Sequence, residues 1–253
     1  MIDAKVIREL ADRYQTTADN VVREYFQHLF LSHLYRQKEA GHLLFKGGTA
    51  LRIVWRSPRF SEDLDFTCLS GRQAGTGVSI RAIEAILEKT LVGIEEEGIH
   101  GTIDEAKKTS GGYFSILQFE GEGNRGEIQL EVSLRPAEKA KGETALIPSE
   151  FLPPFTLIHL EAAILVREKV NALLTRAKPR DFYDLYFILR SRLAFKEVFQ
   201  KDKILKKRLR EAMDKTRLDA KSELKRFLPV SQQGLLKNFE SSLTAEIERN
   251  LPG

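Results

Sequence analysis

Residues 43–66 read LLFKGGTALRIVWRSPRFSEDLDF, and the order of residue types within them constrains what the rest of the chain has to be. Three apolar residues, Leu43, Leu44 and Phe45, run through Lys46 into a Gly47-Gly48-Thr49 turn. The turn opens a short amphipathic helix whose apolar side is Ala50, Leu51, Val54 and Trp55. A second apolar run then carries Asp63 and Asp65, two residues apart. In a strand, residues i and i+2 project from one face, so these carboxylates would stand side by side about 6 to 7 Å apart. Such a pair is a cradle for a divalent cation. A glycine turn at a helix N-terminus presents backbone N–H groups where partial positive charge favours a phosphate. Metal and phosphate sites on one element point to nucleotide chemistry.

Composition bounds what carries such a site. At 253 residues and 42% apolar content the chain can form one large domain or two small ones around a real core. Cys68 is the only cysteine, so an internal disulfide is excluded. No secretory h-region precedes a cleavage-like site, and no apolar run nears the ~18 to 20 residues of a membrane span, so a cytoplasmic protein without a membrane partner is expected. A net charge of +4 and a pI near 9.0 give only a mild pull on anionic partners. His28, His33, His42, His100 and His159 show no ligand spacing.

On the N-terminal side, Val21, Val22, Tyr25, Phe26, Leu29 and Phe30 recur at helical intervals, predicting a packing helix over 17–38 that Gly41 ends. On the C-terminal side a glycine-rich loop over 69–77 precedes a helix over 79–97, striped by Ile80, Ile83, Ile86, Leu87, Leu91 and Ile94 and stopped by Gly98. Residues 112–119 and 126–134 alternate like strands, and the polar stretch 120–125 joins them as a hairpin. In the second strand Ile128, Leu130 and Val132 face one way, while Glu127, Gln129 and Glu131 face the other. A polar row is ordinarily the solvated face, yet a third carboxylate on a neighbouring strand is what a two-metal site with Asp63 and Asp65 still lacks. Glu127 and Glu131 are the two candidates.

Pro136, Pro148, Pro153 and Pro154 mark a loop that separates this α/β region, 1–153, from a helical second half, 154–253. There, 160–174 reads as a helix, Lys178-Pro179-Arg180-Asp181 breaks it, and 181–192 reads as another. By helix-end chemistry alone Asp181 is an N-cap, Asp184 a first-turn acid, and Lys169, Arg176 and Arg180 solvated bases. The region 196–226 holds twelve Lys and Arg against six Asp and Glu, interleaved with Val198, Phe199, Ile204, Leu205, Leu209 and Met213. That is the pattern of a packed stripe with a solvated basic face, which can also steer a nucleic-acid backbone.

The ordered set Phe45-Lys46-Gly47-Gly48-Thr49-Ala50-Leu51, Arg59-Phe60-Ser61-Glu62-Asp63-Leu64-Asp65-Phe66, Arg167-Glu168-Lys169-Val170-Asn171-Ala172-Leu173 and Arg180-Asp181-Phe182-Tyr183-Asp184-Leu185 resembles the successive motifs of the AbiEii/AbiGii toxin family of nucleotidyltransferases. The likeness spans most of the chain. It implies an α+β fold: a nucleotidyltransferase core with a small mixed sheet, helices before it and a helical C-terminal domain. It implies transfer of NMP from an NTP to an acceptor hydroxyl, with RNA and the 3′ end of tRNA as the suggested acceptor and an antitoxin protein as partner. Asp63, Asp65 and a third acid would hold Mg2+ or Mn2+, and the family pattern favours Glu131 over Glu127. Gly47, Gly48, Thr49 and Lys46 would cradle the triphosphate. Lys169 would neutralise phosphate charge with Arg176 nearby, and Asp181 would position nucleotide or acceptor, or orient a basic residue. Two features depart from the wider superfamily: fourteen residues separate Gly48 from Asp63, and the third acid is Glu where Asp is frequent. Other readings are an enzyme of this fold acting on a small molecule or a protein hydroxyl, and a non-catalytic nucleotide- or RNA-binding module. A purely structural protein leaves the Gly-Gly-Thr and Asp-Leu-Asp spacing unexplained.

Overall fold

The computed structural model describes residues 2–69, 79–121, 123–135, 140–200, 202–216 and 223–251. Most of the expected glycine-rich loop, Pro136 and residues 217–222 of the basic region lie outside the described residues. The chain forms two compact units, one from residues up to Arg56 together with Phe60–Leu160, the other from Ser57–Arg59 together with residues from Glu161 on.

The first unit is built on a seven-stranded mixed sheet. Helix α1 (Ala4–Tyr14) starts where the Asp3 carboxylate accepts from the N–H groups of Lys5 and Val6, and ends on Gln15 in the left-handed region. Helix α2 (Ala18–Leu34) is capped by the Thr17 hydroxyl and is buried along most of its length. It stops earlier than its periodicity predicts. The Tyr35 hydroxyl sits 2.7 Å from the Leu43 carbonyl and 2.8 Å from that of Ile158, which fixes the chain for a turn, and a short 3-10 helix (Lys38–His42) delivers it into the sheet.

Strand β1 (Leu43–Lys46) leads into helix α3 (Gly47–Ile53), and β2 (Asp63–Cys68) returns antiparallel to β1. Helix α4 (Ile80–Glu95), capped by Ser79, precedes β3 (His100–Thr109), β4 (Gly112–Gly121) and β5 (Asn124–Ser133). Then come β6 (Gly142–Ile147) and β7 (Phe155–Leu160). The spatial order is β3-β4-β5-β2-β1-β7-β6, with β2/β5 and β1/β7 parallel and the other pairs antiparallel. The sheet is larger than the sequence pattern suggests, because β3, β6 and β7 carry no clean alternation. β3 and β6 are the edges, where charge such as Lys107 and Lys108 is tolerated and discourages further pairing. Phe155–Leu160, just past the prolines, belongs to the sheet and not to the helices.

The core lies on the helix-covered face. Leu64, Phe66, Ile128, Leu130, Val132 and Leu117 are buried there, and the Phe26 ring of α2 stacks on Phe119 at 5.2 Å. Gly126 leaves room for that ring, since a Cβ there would meet Phe26 at 2.4 Å.

The second unit is helical: α5 (Ala162–Arg176), α6 (Pro179–Ser191), α7 (Phe195–Phe199), α8 (Leu205–Lys215) and a final helix, Phe239–Asn250. Pro179 at the first helical position of α6 follows the left-handed Ala177 that ends α5. The basic stripe packs as expected through Leu205, Leu209 and Met213, but Ile204 is exposed because it is the N-cap of α8 and precedes its buried side. Among the described residues no helix is long and apolar enough to cross a membrane.

Candidate active site

The Gly-Gly-Thr turn is fixed by contacts with β2. Gly47 has φ +85°, and a Cβ on it would lie 1.9 Å from Asp65 Oδ2, so glycine is required both for its backbone and for the carboxylate against it. The fully buried Thr49 donates its hydroxyl to the Asp63 carbonyl at 2.5 Å. That hydroxyl therefore ties the turn to β2, and the part of Thr49 left for a phosphate is its backbone. Lys46, the N-cap of α3, has Asp65 as its cross-strand partner.

Asp63 and Asp65 are half-exposed, while Leu64 and Phe66 between and beyond them are buried, which sets both acids on the open face of the sheet. The parallel register of β2 and β5 places Asp65 opposite Glu131 and Asp63 opposite Gln129. Glu131 is thus the neighbour of the acid pair. Glu127 is paired only with Gln118 of β4, nearer the hairpin turn, and β2 does not reach it. The registers chain into one row across five strands: Lys46, Asp65, Glu131, Phe114, Lys107. Two residues along lies a second row, Asp63, Gln129, Ile116, Glu105. A cleft of about 330 Å³ opens on the first row, lined by Lys46, Asp65, Glu131, Gly111, Ser133 and Arg135. Larger hollows of about 490 and 420 Å³ lie at the β4–β5 turn beside Arg125 and Glu127, and neither contains Asp63, Asp65 or Glu131.

The donor set suits a hard divalent cation, since all three candidates are carboxylates on one face and the bare Cα of Gly47 leaves the Asp65 carboxylate room. Among the described residues, however, no three His, Cys, Asp or Glu side chains are gathered closely enough to enclose a metal. The row brings the positions together without closing a cage of side chains.

In the helical unit the expected surface bases turn out otherwise. Lys169, read as solvated, has a side chain only 11% exposed and donates to Asp184 Oδ2 at 2.8 Å. Asp184 is not a first-turn surface acid but a fully buried one, and it also accepts a two-pronged bond from Arg59, Nε at 2.9 Å and Nη2 at 3.0 Å. Burial pushes the Asp184 carboxyl up, but Arg59 and Lys169 outweigh it and hold the group below its ordinary value. Asp181 is buried too. It accepts from Arg176 Nε at 2.8 Å and Nη2 at 2.7 Å, and from the Lys178 N–H at 3.2 Å. These bonds hold the guanidinium of the half-exposed Arg176 in the plane of the Asp181 carboxylate. Arg180 faces Glu223 at 3.9 Å.

Sequence reasoning missed Arg59 and Asp184 as partners, although both stand inside the conspicuous motifs. The signal was there in the two basic residues and two acids of RDFYD and its upstream lysine, but 125 positions separate Arg59 from the carboxylate it holds.

A family model described as "Nucleotidyl transferase AbiEii toxin, Type IV TA system" matches residues 29–249. Among solved structures, JHP933 from Helicobacter pylori is similar with a TM-score of 0.59 and 19% identity, covering 92% of this chain and 92% of that one. A second H. pylori protein, described as a candidate nucleotidyltransferase, is similar with a TM-score of 0.50 and 18% identity, covering 90% of this chain and 95% of that one. At such identities the likeness is one of fold. No curated protein matches the chain.

Proposed function

Because the match spans most of its length, the chain belongs to the AbiEii nucleotidyl transferase toxin family of type IV toxin–antitoxin systems, and from that premise we propose a metal-dependent transfer of NMP from an NTP to the hydroxyl of an RNA acceptor. The observation that carries this reading is the register that sets Glu131 opposite Asp65, two residues from Asp63, on the open face of the sheet. Asp63, Asp65 and Glu131 are the residues that would hold Mg2+ or Mn2+, which when bound neutralises phosphate charge and lowers the pKa of an attacking hydroxyl.

The chain's own groups do the positioning. The backbone of Gly47, Gly48 and Thr49 cradles the phosphates, and Lys46 adds positive charge beside Asp65. Arg176, held by Asp181, presents a fixed guanidinium to phosphate oxygens. An ammonium has three donors and Asp184 takes one of those on Lys169, so the same lysine can also meet developing phosphate charge. The basic residues of α8, Lys207, Arg208 and Lys215 with Lys206 and Arg210 sharing Glu248, outnumber Glu211 and Asp214 and favour a polyanionic acceptor over a small molecule or a protein hydroxyl. The 3′ end of tRNA is the acceptor we favour, an antitoxin protein the natural partner, and the cytoplasm the setting.

The test is to incubate the purified protein with each labelled NTP, Mg2+ and total RNA. Label in an RNA band that disappears with a chelator supports the reading. Label in protein or in a small product refutes the acceptor class, and the absence of label with all four nucleotides refutes the activity.

A further inference from the structure

The row Lys46, Asp65, Glu131, Phe114, Lys107 has an order that assigns more than the acids. Its first member adjoins the glycine turn. Its middle members are the carboxylates. Its far members are an aromatic ring and a lysine that the transfer reaction, as derived above, leaves without a task.

We propose that the open face of β3, β4 and β5 is the seat of the acceptor, with the terminal base of a single-stranded RNA end stacked on Phe114 and its backbone phosphate drawn to Lys107. This rests on the nucleotidyl-transfer reading and adds to it where the acceptor lies. Phe114 is half-buried on the same face as Glu131, its direct cross-strand partner. Lys107 holds its ammonium over the Phe114 ring, 4.7 Å from the centroid, and bonds Glu105 at 2.5 Å, so a base reaches the ring by taking the place of an exposed lysine head that then turns to its phosphate. Ile116, also half-buried, extends the apolar surface by one position, and the exposed Gln129 opposite it offers an amide donor and acceptor to a base edge. An aromatic and an aliphatic side chain on an open sheet face, bordered by a lysine, is how unpaired bases are held without strong sequence preference.

Register also decides between the two nucleotides in the reaction. The donor's phosphates belong at Lys46 and the glycine turn, at one end of the row, and Phe114 lies on the other side of the carboxylates. At about 4.8 Å per strand, Phe114 stands roughly 5 Å from Glu131 and 10 Å from Asp65. A base stacked there sets its own sugar hydroxyl over the acids. In the step this serves, the acceptor hydroxyl oxygen bonds to the α-phosphorus and the bond from that phosphorus to its bridging oxygen breaks. Pyrophosphate leaves with the electron pair, and the hydroxyl proton passes to solvent.

The test compares Phe114→Leu, which keeps an apolar side chain but removes the ring, with Phe114→Trp, which keeps a stacking surface, and with Lys107→Ala on the exposed edge. Two quantities are read: binding of a short fluorescent single-stranded RNA by anisotropy without NTP, and the separate KM values for RNA and NTP in transfer. Phe114→Leu should raise the RNA Kd and the RNA KM by about tenfold, the scale of one lost base–aromatic stack. It should leave the NTP KM unchanged, and Phe114→Trp should recover the loss. Lys107→Ala should weaken RNA binding most at low salt. RNA binding within twofold of wild type in both Phe114→Leu and Lys107→Ala overturns the proposal, as does an effect confined to the NTP KM, which would put the donor's base on the ring. Because anisotropy is read on wild type and variants without NTP, a protein that binds RNA through Phe114 but transfers no nucleotide refutes the activity and not the platform.

Discussion

Asp184 shows how far a single carboxylate departs from what its neighbours in sequence suggest. It sits five positions after a proline break, where a surface acid would be unremarkable, yet it is buried and bonded to both Arg59 and Lys169. Since Arg59 and Lys169 hold its carboxyl below the usual value of 3.8, the pairing contributes stability above that pH, and the contribution is lost as pH falls through the folded value. Asp184→Asn leaves two buried cations short of a counter-charge and should cost about 3 kcal/mol in urea unfolding. Lys169→Ala removes one of two partners, so it should lower stability by about 1 to 3 kcal/mol as well as cutting transfer by about a hundredfold or more. A variant that melts like wild type would show that the Lys169–Asp184 bond is dispensable. His28 titrates with the opposite history. Burial holds its pKa at about 3 against an ordinary 6.5, with Arg52 adding to the effect. The folded state keeps it neutral while the unfolded chain takes up a proton, so stability is complete above about pH 6.5 and declines as pH falls toward 3. His28→Leu should therefore lose less stability between about pH 7.5 and 5 than wild type, by about 2 kcal/mol at the acid end. Nothing in the spacing of the five histidines could reveal this, because burial against Phe151 and Phe155 comes from segments far along the chain.

At the scale of elements, the short helix α3 and strand β2 were legible because each is written in local chemistry. Glycines start the turn, and acids alternate with buried Leu64 and Phe66. Strand β5 was equally plain, its odd positions polar and Ile128, Leu130 and Val132 buried. What failed were the strands whose character depends on position in the sheet. β3 reads HGTIDEAKKT, is charged on both faces and is irregular between Ile103 and Glu105, and it exists because β4 offers it a free edge. β7 is too short and apolar to be told from the start of the helix behind it. The α3–β2 contact makes a sharp prediction. Gly47→Ala forces a side chain into φ +85° and into the Asp65 carboxylate, so it should cost about 1 to 2 kcal/mol in stability and displace an acid of the site. Transfer should fall by more than the fraction of protein unfolded, which circular dichroism and turnover on one sample would separate. Wild-type turnover in the Gly47→Ala protein would remove the turn from the site.

For the whole molecule, the sequence pattern divides the chain at 153/154 into a mixed-sheet region and a helical region, whereas the compact units part between Leu160 and Glu161 and Ser57–Arg59 falls in the helical one. A three-residue loan of this kind has no sequence signature, and Arg59 within it bonds Asp184 of the same unit. The basic character of the second unit is a property of the chain as a whole, and it should act by steering. Lys203→Ala, on an exposed position, should leave turnover at saturating acceptor unchanged and raise the acceptor KM at low salt more than at high salt. A drop in turnover at saturation would make Lys203 part of the chemistry instead.

The central claim is that Asp63, Asp65 and Glu131 act together, and it is tested most directly by measuring Mg2+-dependent nucleotide transfer for Asp63→Asn, Asp65→Asn, Glu131→Gln and Glu127→Gln side by side, with thermal melts confirming that each is folded. The register sets the first three at neighbouring positions on one face of the sheet and leaves Glu127 beyond the reach of β2. Transfer should fall by orders of magnitude in the three and stay near wild type in Glu127→Gln. Near wild-type transfer in Asp63→Asn or Asp65→Asn, or a loss in Glu127→Gln that Glu131→Gln does not share, would contradict the site.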